Sequence, residues 1–120
     1  MYLRDNGGGI TRESLEFWNK NKNSIGKVTH VEVSAEGLYL EDRTGDNGIT
    51  YPVEYNFIAF GERGAIMLSG CNCGYGGEGP NGTAKVLAEL GLTLEEARKA
   101  MFRKNIHYDV IRGELIPPLE

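Results

Sequence analysis

Cysteine, surplus positive charge and long apolar runs are all in short supply in this chain, and each shortage closes off a class of protein. Its two cysteines, Cys71 and Cys73, are separated by one residue. So short a gap strains the geometry a disulfide needs. The chain is therefore not a disulfide-stapled scaffold, and both thiols are expected to be reduced, as in the cytoplasm. No stretch approaches the roughly twenty apolar residues a helix needs to cross a bilayer. Residues 1–9, MYLRDNGGG, also lack the apolar centre of a secretory signal. The expectation is a cytoplasmic protein without membrane contact.

Thirteen Lys and Arg stand against seventeen Asp and Glu, a net charge of −4. The basic residues gather only at Lys20, Lys22 and Lys27 and at Arg98, Lys99, Arg103 and Lys104, which read as solvated faces or helix ends. Phosphate contacts dominate nucleic-acid affinity, so nucleic-acid binding is disfavoured. The two histidines, His30 and His107, are far apart in sequence, each on an expected strand. A zinc site drawn from them and Cys71 and Cys73 lacks the usual paired ligand spacing. Glu41, Asp42 and Asp46 share a loop but not the calcium-loop pattern. No metal or cofactor is called for.

What remains is ordinary globular usage, with 40% hydrophobic and 25% charged residues in 120. That length suits one domain over 1–120, with residues 1–10 as a flexible leader. Thr11 is the expected N-cap of a first helix carrying Leu15, Phe17 and Trp18. The period then changes to two. Val31 and Val33, and then Leu38 and Leu40, flank Ser34–Gly37 as a hairpin, and Tyr51–Phe60 reads as one strand with Tyr51, Tyr55 and Phe57 on a shared face. Ala65–Leu68 suits a strand covered on both faces. Ala84, Leu87 and Leu90 mark a second helix stopped by Gly91. Thr93-Leu-Glu-Glu96 has the form of a capping box, opening a third helix with Leu94, Ala97, Ala100 and Met101 on one face. Ile106, Tyr108 and Val110 suggest a last strand. The expected fold is α+β, an antiparallel sheet of about four to five strands with an N-terminal helix and a C-terminal helix pair.

One segment concentrates functional signal. Residues 70–82, GCNCGYGGEGPNG, lie between an expected buried strand and a helix beginning near Pro80. Proline suits a helix's first turn, where its missing N–H would have no partner. Strand, glycine loop and helix N-terminus together collect free amides and a positive helix end, an arrangement suited to an anion. Gly74-Tyr-Gly-Gly-Glu-Gly79 matches G-x-G-x-x-G, but no strand ending in an acid follows, as a dinucleotide fold requires. The lysine that a P-loop places after its last glycine is also missing. The surviving reading is more general. Gly76, Gly77, Gly79, Asn81 and Gly82 offer amides to a phosphate or carboxylate, Tyr75 a stacking ring, Glu78 an acceptor for ribose hydroxyls, and Thr83 and Lys85 further donors. Glu78 argues against a bare phosphate site, so a nucleotide-like ligand fits better.

The chain thus reads as a small ligand-binding domain, a sensor or sequestering protein of the kind mobile elements encode, rather than an enzyme, with room for a homo-oligomer. The alternative is a protein–protein interaction domain whose glycine loop is purely structural. A third reading, catalysis by Cys71 or Cys73, requires an exposed thiol within reach of His30 or His107.

Overall fold

The computed structural model describes residues 1–119. In chain order the elements are Tyr2–Arg4 (β1), Thr11–Asn21 (α1), a 3₁₀ turn Lys22–Ile25, Val28–Ser34 (β2), Tyr39–Thr44 (β3), Thr50–Tyr55 (β4), Phe57–Gly61 (β5), Gly64–Leu68 (β6), Glu78–Glu89 (α2), Leu94–Ala100 (α3), Asn105–Asp109 (β7) and Glu114–Leu115 (β8). The fold is α+β. Its main sheet has six strands in the order β1-β6-β5-β2-β7-β8, and β3 and β4 form a second, two-stranded sheet. The strand count exceeds the four to five expected from sequence. All pairings are antiparallel except β1 with β6, which run parallel in the register Tyr2↔Ala65, Leu3↔Ile66 and Arg4↔Met67.

Strand alternation sends every second residue to the same face. On one face Val31, Val33, Phe57, Ala59, Ile66, Leu68, Ile106 and Tyr108 form a core with Trp18, Ala84, Leu87, Ala97 and Ala100 from the three helices. Each fully buried large apolar side chain there contributes about 1.5–3 kcal/mol. The capping box of α3 forms as expected, with Thr93 Oγ1 accepting from Glu96 N–H and Glu96 Oε1 from Thr93 N–H. Leu94, expected on the buried face, is exposed, whereas Ala97, Ala100 and Met101 are buried.

Ser34 and Asn56 mark where two long extended segments leave the main sheet. Ser34 N–H donates to the Asn56 carbonyl at 2.9 Å, and Asn56 Nδ2 donates to the Ser34 carbonyl at 2.8 Å. Beyond this clasp β3 and β4 pair with each other as an arm. Two expectations are corrected by it: residues 28–40 do not make a hairpin, and residues 51–60 are two strands, not one. The aromatic stripe divides accordingly, Tyr51 and Tyr55 lying on the arm and Phe57 in the main core.

Residues 2–5, expected within a flexible leader, are built into the fold. β1 pairs along β6, and Asp5 behind it is buried. The Asp5 carboxylate accepts from Gly7 N–H at 3.0 Å, Ser69 N–H at 2.9 Å, Ser69 Oγ at 2.8 Å and the Ser14 hydroxyl. Ser14 Oγ in turn accepts from Gly70 N–H at 2.8 Å. One carboxylate thereby ties β1, α1 and the start of the glycine loop together. From the other side, Arg43 and Tyr55 of the arm donate to the Asp5 carbonyl.

Candidate functional site

β1 and β6 each end in a glycine-containing loop that leads into a helix, β1 into α1 and β6 into α2. The helices, like the strands, run side by side in the same direction. Thr11 touches Gly82 near their starts, and Trp18 Nε1 donates to Glu89 Oε2 at 2.7 Å near their ends. Lys22 completes the lower contact with Glu89 Oε1 at 2.7 Å. The positive ends of both helices therefore lie together, beyond the carboxyl ends of two adjacent parallel strands.

Neither helix has a side-chain cap. Ile10 and Gly77 occupy the N-cap positions and supply no capping oxygen. Thr11, expected to cap α1, instead donates its hydroxyl to the Gly70 carbonyl at 2.7 Å, joining the two loops. The first amides of a helix have no intrahelical acceptor. Among the described residues, those of Arg12 and Glu13 and of Glu78 and Gly79 find none in the backbone. Between the two starts lies a cleft of about 260 Å³ lined by Thr11, Arg12, Leu15, Glu78, Asn81, Gly82 and Lys85. That is slightly below the range typical of whole-ligand pockets and is suited to one charged group. Arg12 and Lys85 are exposed beside it.

The residues singled out from sequence divide into three groups. Glu78, Asn81, Gly82 and Lys85 line the cleft. Asn81 Nδ2 is turned back onto the Gly77 carbonyl at 2.7 Å. Tyr75, Gly76 and Gly77 lie ahead of the helix: the Tyr75 ring is half exposed and packs over Gly77, and its hydroxyl accepts from Asn72 Nδ2 at 3.1 Å. Thr83 and Gly79 face inward. Thr83 is fully buried and donates to the Asn72 carbonyl at 2.7 Å. Gly79 is buried so tightly on Asn72 that no Cβ fits. Thr11 and Leu15 read from sequence only as parts of the first helix, and Arg12, like Arg43 and Arg63, as a residue that reaches an anion only if the fold brings it to the loop; the parallel packing of α1 on α2 brings Arg12, Thr11 and Leu15 to the cleft.

The condition for thiol catalysis, an exposed thiol beside a histidine, is not met. Cys71 and Cys73 are buried in the helix-side core. Burial, and behind it the Asp5 carboxylate, pushes the Cys71 thiol up to about 12. Burial pushes Cys73 up to about 11, against a smaller opposing contribution from the Ala35 backbone N–H. A buried, protonated thiol is a poor nucleophile. His30 and His107 project from the opposite face of the sheet, since their neighbours Val31, Ile106 and Tyr108 point into the core. No thiol–imidazole pair exists among the described residues.

No helix of the described residues is long and apolar enough to cross a membrane. No protein-family model, curated protein or solved structure matches the chain.

Proposed function

We propose that this protein is a small-ligand-binding domain that holds the anionic end of a nucleotide-like molecule in the cleft between α1 and α2. One observation carries the reading: two uncapped helix N-termini open side by side into a cleft flanked by the cations Arg12 and Lys85. Helix N-termini favour anions through their free amides and dipoles. Two of them sharing one cleft with Arg12 and Lys85 offset the carboxylate of Glu78 and that of Glu16, which lies 3.9 Å from Arg12. The cleft has room for a phosphate or carboxylate but not for a whole nucleotide. The remainder of the ligand then extends along the loop past Glu78, an acceptor for ribose hydroxyls, towards the half-exposed ring of Tyr75. Sequestering or sensing such a molecule requires no catalytic group, in keeping with the protonated, buried thiols.

Thermal unfolding against inorganic phosphate, nucleoside monophosphates, cyclic dinucleotides and sugar phosphates tests the proposal. A ligand at a hundred times its dissociation constant stabilises by about 2.7 kcal/mol, several degrees for a domain of this size. The shift is expected to vanish in Arg12→Ala combined with Lys85→Ala, both solvent-facing and therefore compatible with folding. A flat response across the panel would overturn the reading. It would favour the alternative, a protein-interaction domain, for which the arm leaves Leu40 exposed on one face, Tyr51 on the other and Ile49 near its tip.

A further inference from the structure

The helix-free face of the main sheet carries a second, independent constellation. The β2–β7 register sets His30 opposite Asp109 and Glu32 opposite His107. All four side chains project from the same face, because Val31, Val33, Ile106 and Tyr108 take the other. The two imidazoles, 77 positions apart in sequence, stand with ring centroids 5.8 Å apart. That is the spacing of two rings able to turn their nitrogens to one ion.

His30 is held in a particular state. Between Val28 and His30 the β2–β5 register shifts, so that Thr29 is an extra residue in the strand, and such bulges re-aim side chains. Thr29 Oγ1 lies 3.3 Å from His30 Nδ1 and donates its own proton to the Phe60 carbonyl at 3.3 Å. With its proton directed to that carbonyl, the hydroxyl is placed to accept from Nδ1–H, the tautomer that leaves the ring's lone pair on Nε2. Phe60 stacks on the imidazole at 4.3 Å and 11°, fixing its plane. An oxygen acceptor on one ring nitrogen with the other left open is how metal-ligating histidines are oriented, a part usually taken by a carboxylate, carbonyl or water and here by a hydroxyl.

We propose that His30 and His107 are the nucleus of a binding site for a borderline divalent metal ion of the zinc, nickel and copper group. Glu32, opposite His107 and two residues along from His30, supplies a third ligand by side-chain rotation, and water completes the shell. Two neutral imidazoles select these ions over magnesium or calcium, which prefer all-oxygen shells. No three such side chains are already gathered as a set among the described residues; the two imidazoles provide the fixed part and the carboxylate closes on the ion. Cys71 and Cys73 do not compete, being buried and protonated at neutral pH.

Calorimetric titration of the purified protein with zinc chloride in a non-coordinating buffer tests this. One zinc per chain is expected. Affinity should fall at least tenfold in His107→Ala and in His30→Ala, and by about tenfold in Thr29→Val, which removes the outer-shell acceptor without touching a ligand. His30 packs on Phe60, so if His30→Ala is poorly folded the exposed His107→Ala decides alone. Absence of zinc binding in the unmodified protein, or binding unchanged by His107→Ala, would overturn the proposal.

Discussion

Gly82 of α2 lies against Thr11 of α1 so closely that a methyl group at position 82 would stand 2.5 Å from Thr11 Cγ2 and 3.3 Å from Cys71 Sγ. The backbone at Gly82 is ordinary helix; glycine is required there by space. The two helices meet at this point, so the same contact that removes the side chain also sets the width of the cleft above it. Gly82→Ala should therefore destabilise the protein by about 1–3 kcal/mol through overpacking. Gly82→Ala with Thr11→Ser should recover part of the loss, since serine removes the crowding methyl and keeps the hydroxyl bonded to the Gly70 carbonyl. Urea unfolding followed by the fluorescence of Trp18, the sole tryptophan and a buried one, reads both variants. Additive losses in the pair would show that the crowding lies elsewhere.

Asp5 carries a second prediction. Its carboxylate accepts four hydrogen bonds from groups around the end of β1. Removing it in Asp5→Ala strands buried donors, each costing about 1–3 kcal/mol, so a loss of at least about 3 kcal/mol is expected. Asp5→Asn should restore only part of that stability, because its NH₂ group presents donors to donors. Equal stability of the Asn and Asp forms in denaturant would refute the assigned donor pattern.

How much of this was readable beforehand depended on whether the signal was local. The capping box at Thr93 and Glu96, the termination of α2 near Gly91 and the placement of the glycine loop between a buried strand and a helix are local, and each forms as read. Asp5 reads as part of a leader because DNGGG has the composition of a loop and β1 is too short for a periodic pattern. Asn56 gave no warning that it divides a ten-residue alternation, since its hydrogen bonds to Ser34 join positions 22 apart. The cleft was half legible: Glu78, Asn81, Gly82 and Lys85 lie on the loop and its helix, whereas Arg12 arrives through the parallel pairing of β1 with β6. The adjacency of His30 and His107 depends entirely on the β2–β7 register.

The thiols predict a response to alkaline pH. Both hold their protons more tightly in the fold than the ordinary thiol, Cys71 to about 12 and Cys73 to about 11, chiefly through burial. The unfolded chain releases those protons from the ordinary thiol range upward, near 9, while the folded chain retains them. Stability is therefore fully present below pH 9 and declines as pH rises from there towards the folded values, by up to about 1.4 kcal/mol per pH unit for each thiol. Cys71→Ala should flatten the decline while costing stability at neutral pH through the cavity it leaves. Unfolding curves at pH 7, 9 and 10 measure both effects. Alkylation at pH 8 should proceed only with unfolding, and rapid labelling of the native protein would contradict the burial.

Glu78 separates the two parts of the proposed ligand. Its carboxylate lies in the first turn of α2, at the cleft that Arg12 and Lys85 flank, and it repels an incoming phosphate. Exposed charge interactions of this kind amount to about 0.2–1 kcal/mol. Glu78→Gln should thus tighten binding of inorganic phosphate by roughly 1.4- to fivefold, and the gain should shrink with added salt because a shorter Debye length screens the repulsion that the substitution removes. A ribonucleotide should behave in the opposite way. If Glu78 accepts from its ribose hydroxyls, the neutral amide loses a charge-assisted bond, and affinity for the ribonucleotide should fall while that for its 2′,3′-dideoxy counterpart rises with phosphate. Titrations of the three ligands against both proteins at two salt concentrations give the comparison. A parallel rise for all three would leave the anion cleft standing and remove the ribose from the ligand.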